Sequence, residues 1–150
     1  MATAEDNKRV ARRFIEDVVN TGDVGRLDEL VSPNCVETDG IVRIDSGIGG
    51  MAEHVRAVRA IYPDLALTVD RQIAEGEWVA TVITARGTHS REWLGMAPTG
   101  RTLVFTGVNV DRVVDGRIVE HGGAANMLQP FLDAGALEPV GGQRSGRPRR

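Results

Sequence analysis

Three histidines, at positions 54, 89 and 121, are the side chains best placed for proton transfer near neutral pH, because an unperturbed imidazole titrates at about 6.5. Two of them, His89 and His121, fall in stretches that alternate like β-strands. The run from Leu103 to Val114 puts Val104, Val108 and Val110 on one face and Leu103, Phe105, Gly107, Asn109 and Asp111 on the other. A face that mixes apolar, small and acidic groups suits the wall of a pocket better than a sealed core. On the following run Val119, His121 and Gly123 share a face, so Asn109 and His121 are expected to meet in one cavity. Glu37, on an earlier strand, is expected to point inward beside His121, where it or Asp111 would serve as acid–base partner. His121, Asn109, Glu37 and Asp111 are therefore the candidate catalytic groups. Each has an ordinary alternative: a half-buried imidazole satisfied by its neighbours, or a strand-edge carboxylate in water.

The remaining candidates would bind substrate. His89 closes the strand TVITARGTH, and Trp93, in SREWLGM, would cover the cavity mouth as an aromatic lid or simply pack there. Phe105 and Gly123 belong to the pocket wall, with Phe14 and Tyr62 contributed by helices. Asn126 precedes the last helix, where it would cap the N-terminus or touch the ligand. His54 lies on the polar flank of a helix and reads as a surface residue. The histidines and carboxylates lack the tight spacing of zinc motifs, and Cys35 is alone, so neither a metal site nor a disulfide is expected. GxSxG, P-loop and dinucleotide fingerprints are missing too, which leaves chemistry without a cofactor.

These residues must be held by a definite set of elements. Val10, Phe14, Ile15, Val18 and Val19 recur at three and four residues within an amphipathic helix from Ala4 to Asn20 that Thr3 can cap. A short second helix follows through Val24, Leu27, Leu30 and Val31, ended by Pro33. Cys35 to Asp39 reads as a short strand, Gly40 to Gly50 as a loop, and Met51 to Tyr62 as a third helix stopped by Pro63. The period then changes to two. Strands are expected around Leu65 to Val69, over Trp78 to His89, over Leu103 to Val114 and over Arg117 to Ala125, the last two joined by a type I′ turn at Asp115-Gly116. A short helix at Met127 to Ala134 completes the order. Neighbouring strands pair most simply as a meander, giving an α+β domain with helices against one face of a curved sheet. Gly87, Gly107, Gly122 and Gly123, all inside strand patterns, are expected to mark bulges or bends.

At 150 residues the chain has the length of one domain, read as residues 1–139 followed by an Arg-rich tail, 140–150, too polar to fold. The net charge is −3, and without the tail 14 basic residues face 21 acidic ones. An acidic body argues against nucleic acid as a partner. No apolar run approaches a membrane span of about 18 residues, and MATAEDNKRV has no secretory core, so a cytoplasmic protein is expected.

The run GTHSREWLGMAPTGRTLVFTGVNVDRVVDGRIVEHGG resembles the SnoaL-like polyketide cyclase family, whose members carry GxH, GMxPTGR and RxxDGxIxEH, with the PTGR and DGRIVEH stretches the most specific parts. The similarity extends from about Asn7 to Leu137. It implies the cone-shaped α+β barrel of the nuclear transport factor 2 superfamily (cystatin-like), a homodimer without cofactor, and a small apolar polycyclic aromatic substrate closed by intramolecular aldol chemistry. The family's acid–base Asp falls at Gly123 and its His at Asn109, so both groups are replaced here. The ending HGGAANMLQPFLDAGAL is closer to relatives implicated in hydroxylation. A cofactor-independent or accessory hydroxylase, and a non-catalytic small-molecule-binding domain, are the alternatives.

Overall fold

A computed structural model describes residues 2–39 and 42–141; the Arg-rich tail lies outside them from residue 142 onward. Helix α1 (Ala4–Arg13) starts at a capping box, in which the Asp6 N–H donates to the Thr3 hydroxyl at 3.1 Å and the Thr3 N–H donates to the Asp6 carboxylate at 2.9 Å. The segment Phe14–Val19 continues it as a wider π-helical turn that keeps Phe14, Ile15 and Val18 buried. A 3₁₀ turn, Val24–Arg26, leads into the single-turn α2 (Leu27–Leu30). Strand β1 (Val31–Asp39) is longer than expected and contains Pro33, because Val31 is already extended at φ −122°.

The stretch read as a glycine-rich loop holds strand β2 (Val42–Asp45) and the start of α3 (Gly47–Ile61). Both escape the sequence pattern for a physical reason. Every residue of β2 is exposed, so no buried face imposes alternation, and the first turn of α3 is mostly glycine, so its apolar stripe becomes visible only at Met51. Four strands follow: β3 (Ala66–Glu75), β4 (Trp78–Thr88), β5 (Thr102–Val114) and β6 (Arg117–Asn126), then helix α4 (Leu128–Ala134).

One sheet has the order β2-β1-β6-β5-β4-β3. Its last four strands form the expected meander, and β1 returns parallel to β6. Asp115 and Gly116 have φ of +49° and +75°, as the type I′ hairpin requires. Helices α1 and α3 pack on the concave face. Along β5, Leu103, Gly107, Asp111 and Val113 are buried, whereas Val104, Val108 and Val110 are 50, 37 and 40% exposed on the convex side.

The ladder slips between Val69 and Arg71 and between Arg112 and Val113, which is where the sheet bends. The strand glycines expected at those bends instead permit close approach. A Cβ on Gly87 would meet the Tyr62 ring, and one on Gly122 would overlap Thr38. The core divides in two: Ile15, Val18, Leu27, Val79 and Ile118 surround the Val113 end of β5, and Tyr62, Leu65, Ala85 and Phe131 surround the Leu103 end. Among the described residues no helix is long and apolar enough to cross a membrane.

Candidate functional site

His121 is directly opposite Asp111 in the β5–β6 ladder, and its Nδ1 lies 2.6 Å from Asp111 Oδ1. A carboxylate only accepts, so Nδ1 carries the proton and donates it, leaving Nε2 free of any protein partner among the described residues. The Asp111 side chain is fully buried and that of His121 is 12% exposed. Burial is the largest influence on His121 and opposes its charged form. The charge and hydrogen bond of Asp111, with the charge of Glu37, outweigh it and raise the pKa above the ordinary value. Asp111 Oδ2 is buried without a partner, so the imidazole is the only group satisfying this carboxylate among the described residues.

The expected Asn109–His121 pair is not formed. Asn109 faces Gly123, one inward-facing pair further along, and is half-buried with no side-chain hydrogen bond among the described residues. Asp111 takes the place beside His121, while Arg112 points outward to Glu77 at 2.8 Å. The cause is the slip after Arg112, where Val119 is the extra residue on β6. An uninterrupted hairpin from Val114–Arg117 would pair Asp111 with Glu120 and turn His121 to the convex face; the bulge turns it inward.

Glu37 is the cross-strand neighbour of His121 in the parallel β1–β6 ladder, as expected. Its carboxylate, however, bonds a different histidine: Glu37 Oε2 is 2.7 Å from His54 Nδ1. His54, read as a surface residue, is 48% exposed but belongs to this cluster, with its ring centroid 6.3 Å from that of His121. Nothing local links Glu37 and His54, which lie on different elements, so no sequence pattern reveals the pair. Phe14, from the π-helical turn, sets its ring edge-on to His121 at 5.2 Å. Glu37 and His54 border an open cleft of about 560 Å³ with Ile44, Asp45, Gly50 and Glu53. Cys35 is buried nearby; burial first, then the charges of Glu37, Asp111 and Glu120, push its thiol up to about 12, so it stays protonated and inert.

The other expected residues gather at the Leu103 end of β5. His89 is fully buried, and the Thr99 N–H donates to its Nδ1 at 3.4 Å. The His89 N–H donates to Arg101 O and the Gly100 N–H to His89 O, both at 2.9 Å, so the PTGR run is the seat of this histidine. Tyr62 and Phe131 flank it at 6.0 and 5.5 Å. Trp93 stacks on Phe131 at 5.5 Å and packs this end. Phe105, half-buried, lies 5.9 Å from Tyr62, whose hydroxyl burial pushes up to about 12. Asn126 does not cap α4: Met127 holds that position without a side-chain bond, and Asn126, the exposed end of β6, borders a second cleft of about 510 Å³ with Phe105 and Arg101.

Gly123 has φ +153°, and a Cβ there would overlap the Val108 carbonyl oxygen. The backbone thus has no room for the aspartate that the family resemblance puts at this position. Among the described residues no group of three or more His, Cys, Asp or Glu side chains is arranged to hold a metal ion.

A curved six-stranded sheet wrapped on helices, with a buried carboxylate–imidazole pair on its inner face, has the architecture of the nuclear transport factor 2 type. The family model for SnoaL-like polyketide cyclases matches residues 9–133, and the chain belongs to this family. It is 32% identical over 104 residues to nogalonic acid methyl ester cyclase of Streptomyces nogalater, a match covering 68% of this chain and 78% of that one. Among solved structures, AclR of Streptomyces galilaeus, a proposed hydroxylase, superposes with a TM-score of 0.78 at 28% identity, over 91% of this chain and all of AclR. IdmH of Streptomyces antibioticus, a proposed polyketide cyclase, superposes with a TM-score of 0.72 at 32% identity, over 86% of this chain and 98% of IdmH.

Proposed function

We propose that the protein closes a ring in an aromatic polyketide ester by intramolecular aldol addition, with His121 as the base and Asp111 holding it in the correct tautomer. The buried Asp111–His121 pair, with Nε2 left free, carries this reading. Nε2 takes a proton from the carbon beside the ester carbonyl. The resulting enolate carbon bonds to a ketone carbon of the same molecule, and the ketone π-electrons become an alkoxide that is then protonated. Atoms and electrons balance within the substrate, so no oxidant is consumed. Phe14 offers an aromatic edge beside the reacting group, and the missing side chain at Gly123 leaves Asn109 free to hold a substrate carbonyl. The relative's name, a methyl ester cyclase, supports an ester substrate and a ring closure. The test is cyclisation of nogalonic acid methyl ester by pure protein. His121→Ala is expected to lower kcat by at least ~100-fold, the usual size of a general-base contribution, and an unchanged rate removes His121 from the mechanism.

The similarity to AclR favours a second reading, a hydroxylase in which the same base generates a carbanion that molecular oxygen oxidises. Incubation with a reduced anthraquinone under labelled oxygen separates the two, because only the hydroxylase places label in the product. As for assembly, the bare valines of β5, with Ile73 at 60% and Trp78 at 44% exposure, give the convex sheet face the apolar character of a homodimer interface.

A further inference from the structure

We infer that His54, held by Glu37, is a second catalytic group of this site, the general acid that protonates the substrate oxygen while His121 removes the proton from carbon. The inference rests on the acid–base reading above and adds a residue to it. Four observations carry it. The two imidazoles are built alike: each has Nδ1 bonded to a carboxylate, at 2.6 Å for His121 and 2.7 Å for His54, so each presents Nε2. Their rings are 6.3 Å apart, inclined at 65°, close enough to serve two atoms of one substrate group through contacts of about 2.6–3.2 Å each. Glu37 is in register with His121, so the same strand pairing that fixes one dyad fixes the other. Finally, the dyads differ in access: Asp111 and His121 are 0 and 12% exposed, Glu37 and His54 16 and 48%.

That asymmetry assigns the roles. Aldol closure loses a proton at carbon and gains one at oxygen, and two imidazoles allow the base and the acid to be separate groups. The enclosed dyad suits carbon deprotonation, where excluding water protects the enolate. The open dyad suits proton delivery, because it can be recharged from solvent. The proton account closes: neutral His121 becomes imidazolium as the enolate forms, His54 imidazolium gives its Nε2 proton to the alkoxide, and exchange with solvent returns both to their starting states. The other charged groups bordering His54 are carboxylates, Asp45 on β2 and Glu53 on α3 itself, with His121 facing it from β6; Arg43 is turned onto Glu120 at 3.2 Å.

The test uses nogalonic acid methyl ester in deuterated buffer, following cyclisation and deuterium uptake at the acidic carbon in the wild type, His54→Ala, His54→Gln and His121→Ala. Expected for His54→Ala is a fall in kcat of ~100-fold with KM within about twofold, deuterium uptake retained, the melting temperature unchanged, and partial rescue by added imidazole. His54→Gln should behave alike without rescue, since the vacated space is filled. Wild-type kcat in His54→Ala, or a loss that imidazole fails to restore and that tracks a lowered melting temperature, overturns the proposal while leaving the role of His121 standing. Unimpaired uptake and cyclisation in His121→Ala overturns the acid–base reading itself. A wild-type protein that neither cyclises nor exchanges the ester overturns both. Independently of substrate, Glu37→Gln should lower the His121 titration midpoint measured by ¹H–¹³C NMR, because the Glu37 charge is among the groups that raise it.

Discussion

At the scale of single residues, the behaviour of the site follows from a carboxylate with nowhere else to turn. Asp111 is fully buried and its one described partner is His121, so the pair is most favourable when the imidazole is charged. A base must be neutral, so activity should rise with pH through a His121 midpoint above the ordinary imidazole value. Asp111→Asn removes the charge that raises this midpoint. The rising limb of the pH–rate profile should move to lower pH, and the maximal rate should fall because the imidazolium formed in the reaction loses its counter-charge. Stability follows the same sign. A raised folded pKa contributes stability fully below the unfolded value, about 6.5, which is lost as pH rises through the folded midpoint. Urea denaturation should therefore show the wild type's advantage over Asp111→Asn largest in mild acid and smallest in alkali. A pH-independent difference would show that the pair does not titrate as described.

At the scale of elements, the inward orientation of His121 is the work of one extra residue. The Asp115-Gly116 turn and both strands are legible from local pattern, but the bulge at Val119 is not, because it arises where the twisted strands adjust to the core at Ile118 and Val113. The same strand carries the site's second constraint. Gly123→Asp would install the family's carboxylate chemically, yet the backbone at φ +153° and the Val108 carbonyl refuse its Cβ. The variant should lose ~1–3 kcal/mol of stability, the usual cost of a strained backbone, and gain no activity. A stable, faster Gly123→Asp enzyme would mean that β6 can readily shift register. The Glu37–His54 contact belongs to this scale too, since it joins β1 to a helix whose start the glycine-rich sequence conceals.

At the scale of the whole molecule, the cone presents two unlike faces. Helices cover the concave side, and the convex side leaves Val104, Val108, Val110 and Ile73 in contact with water. Val108→Glu combined with Val110→Glu should convert a dimer into a monomer in sedimentation velocity while preserving the circular dichroism spectrum. A monomeric wild type at micromolar concentration would remove the dimer. The expected site also divides into two regions: His89, Tyr62 and Trp93 pack with Phe131 at one end of β5, while Asp111 and His121 pair near the other, beside the Glu37 and His54 that border the cleft. Thus the family's PTGR signature forms the backbone seat of His89 in this protein.

Composition, hydrophobic period and turn residues by themselves determined the α+β class, the meander, the type I′ hairpin and the inward face of β5, because these depend on contacts a few residues apart. They also put Asp111 on the inward face of β5, whereas the inward turn of His121 depends on the bulge at Val119. Which of these side chains touch was decided only by the tertiary structure: a one-residue bulge turned His121 inward opposite Asp111, and the packing of α3 on β1 brought His54 to Glu37. Partners brought together through strand register and helix docking leave no trace in local spacing, because the free energy that selects them comes from burying the whole core at once.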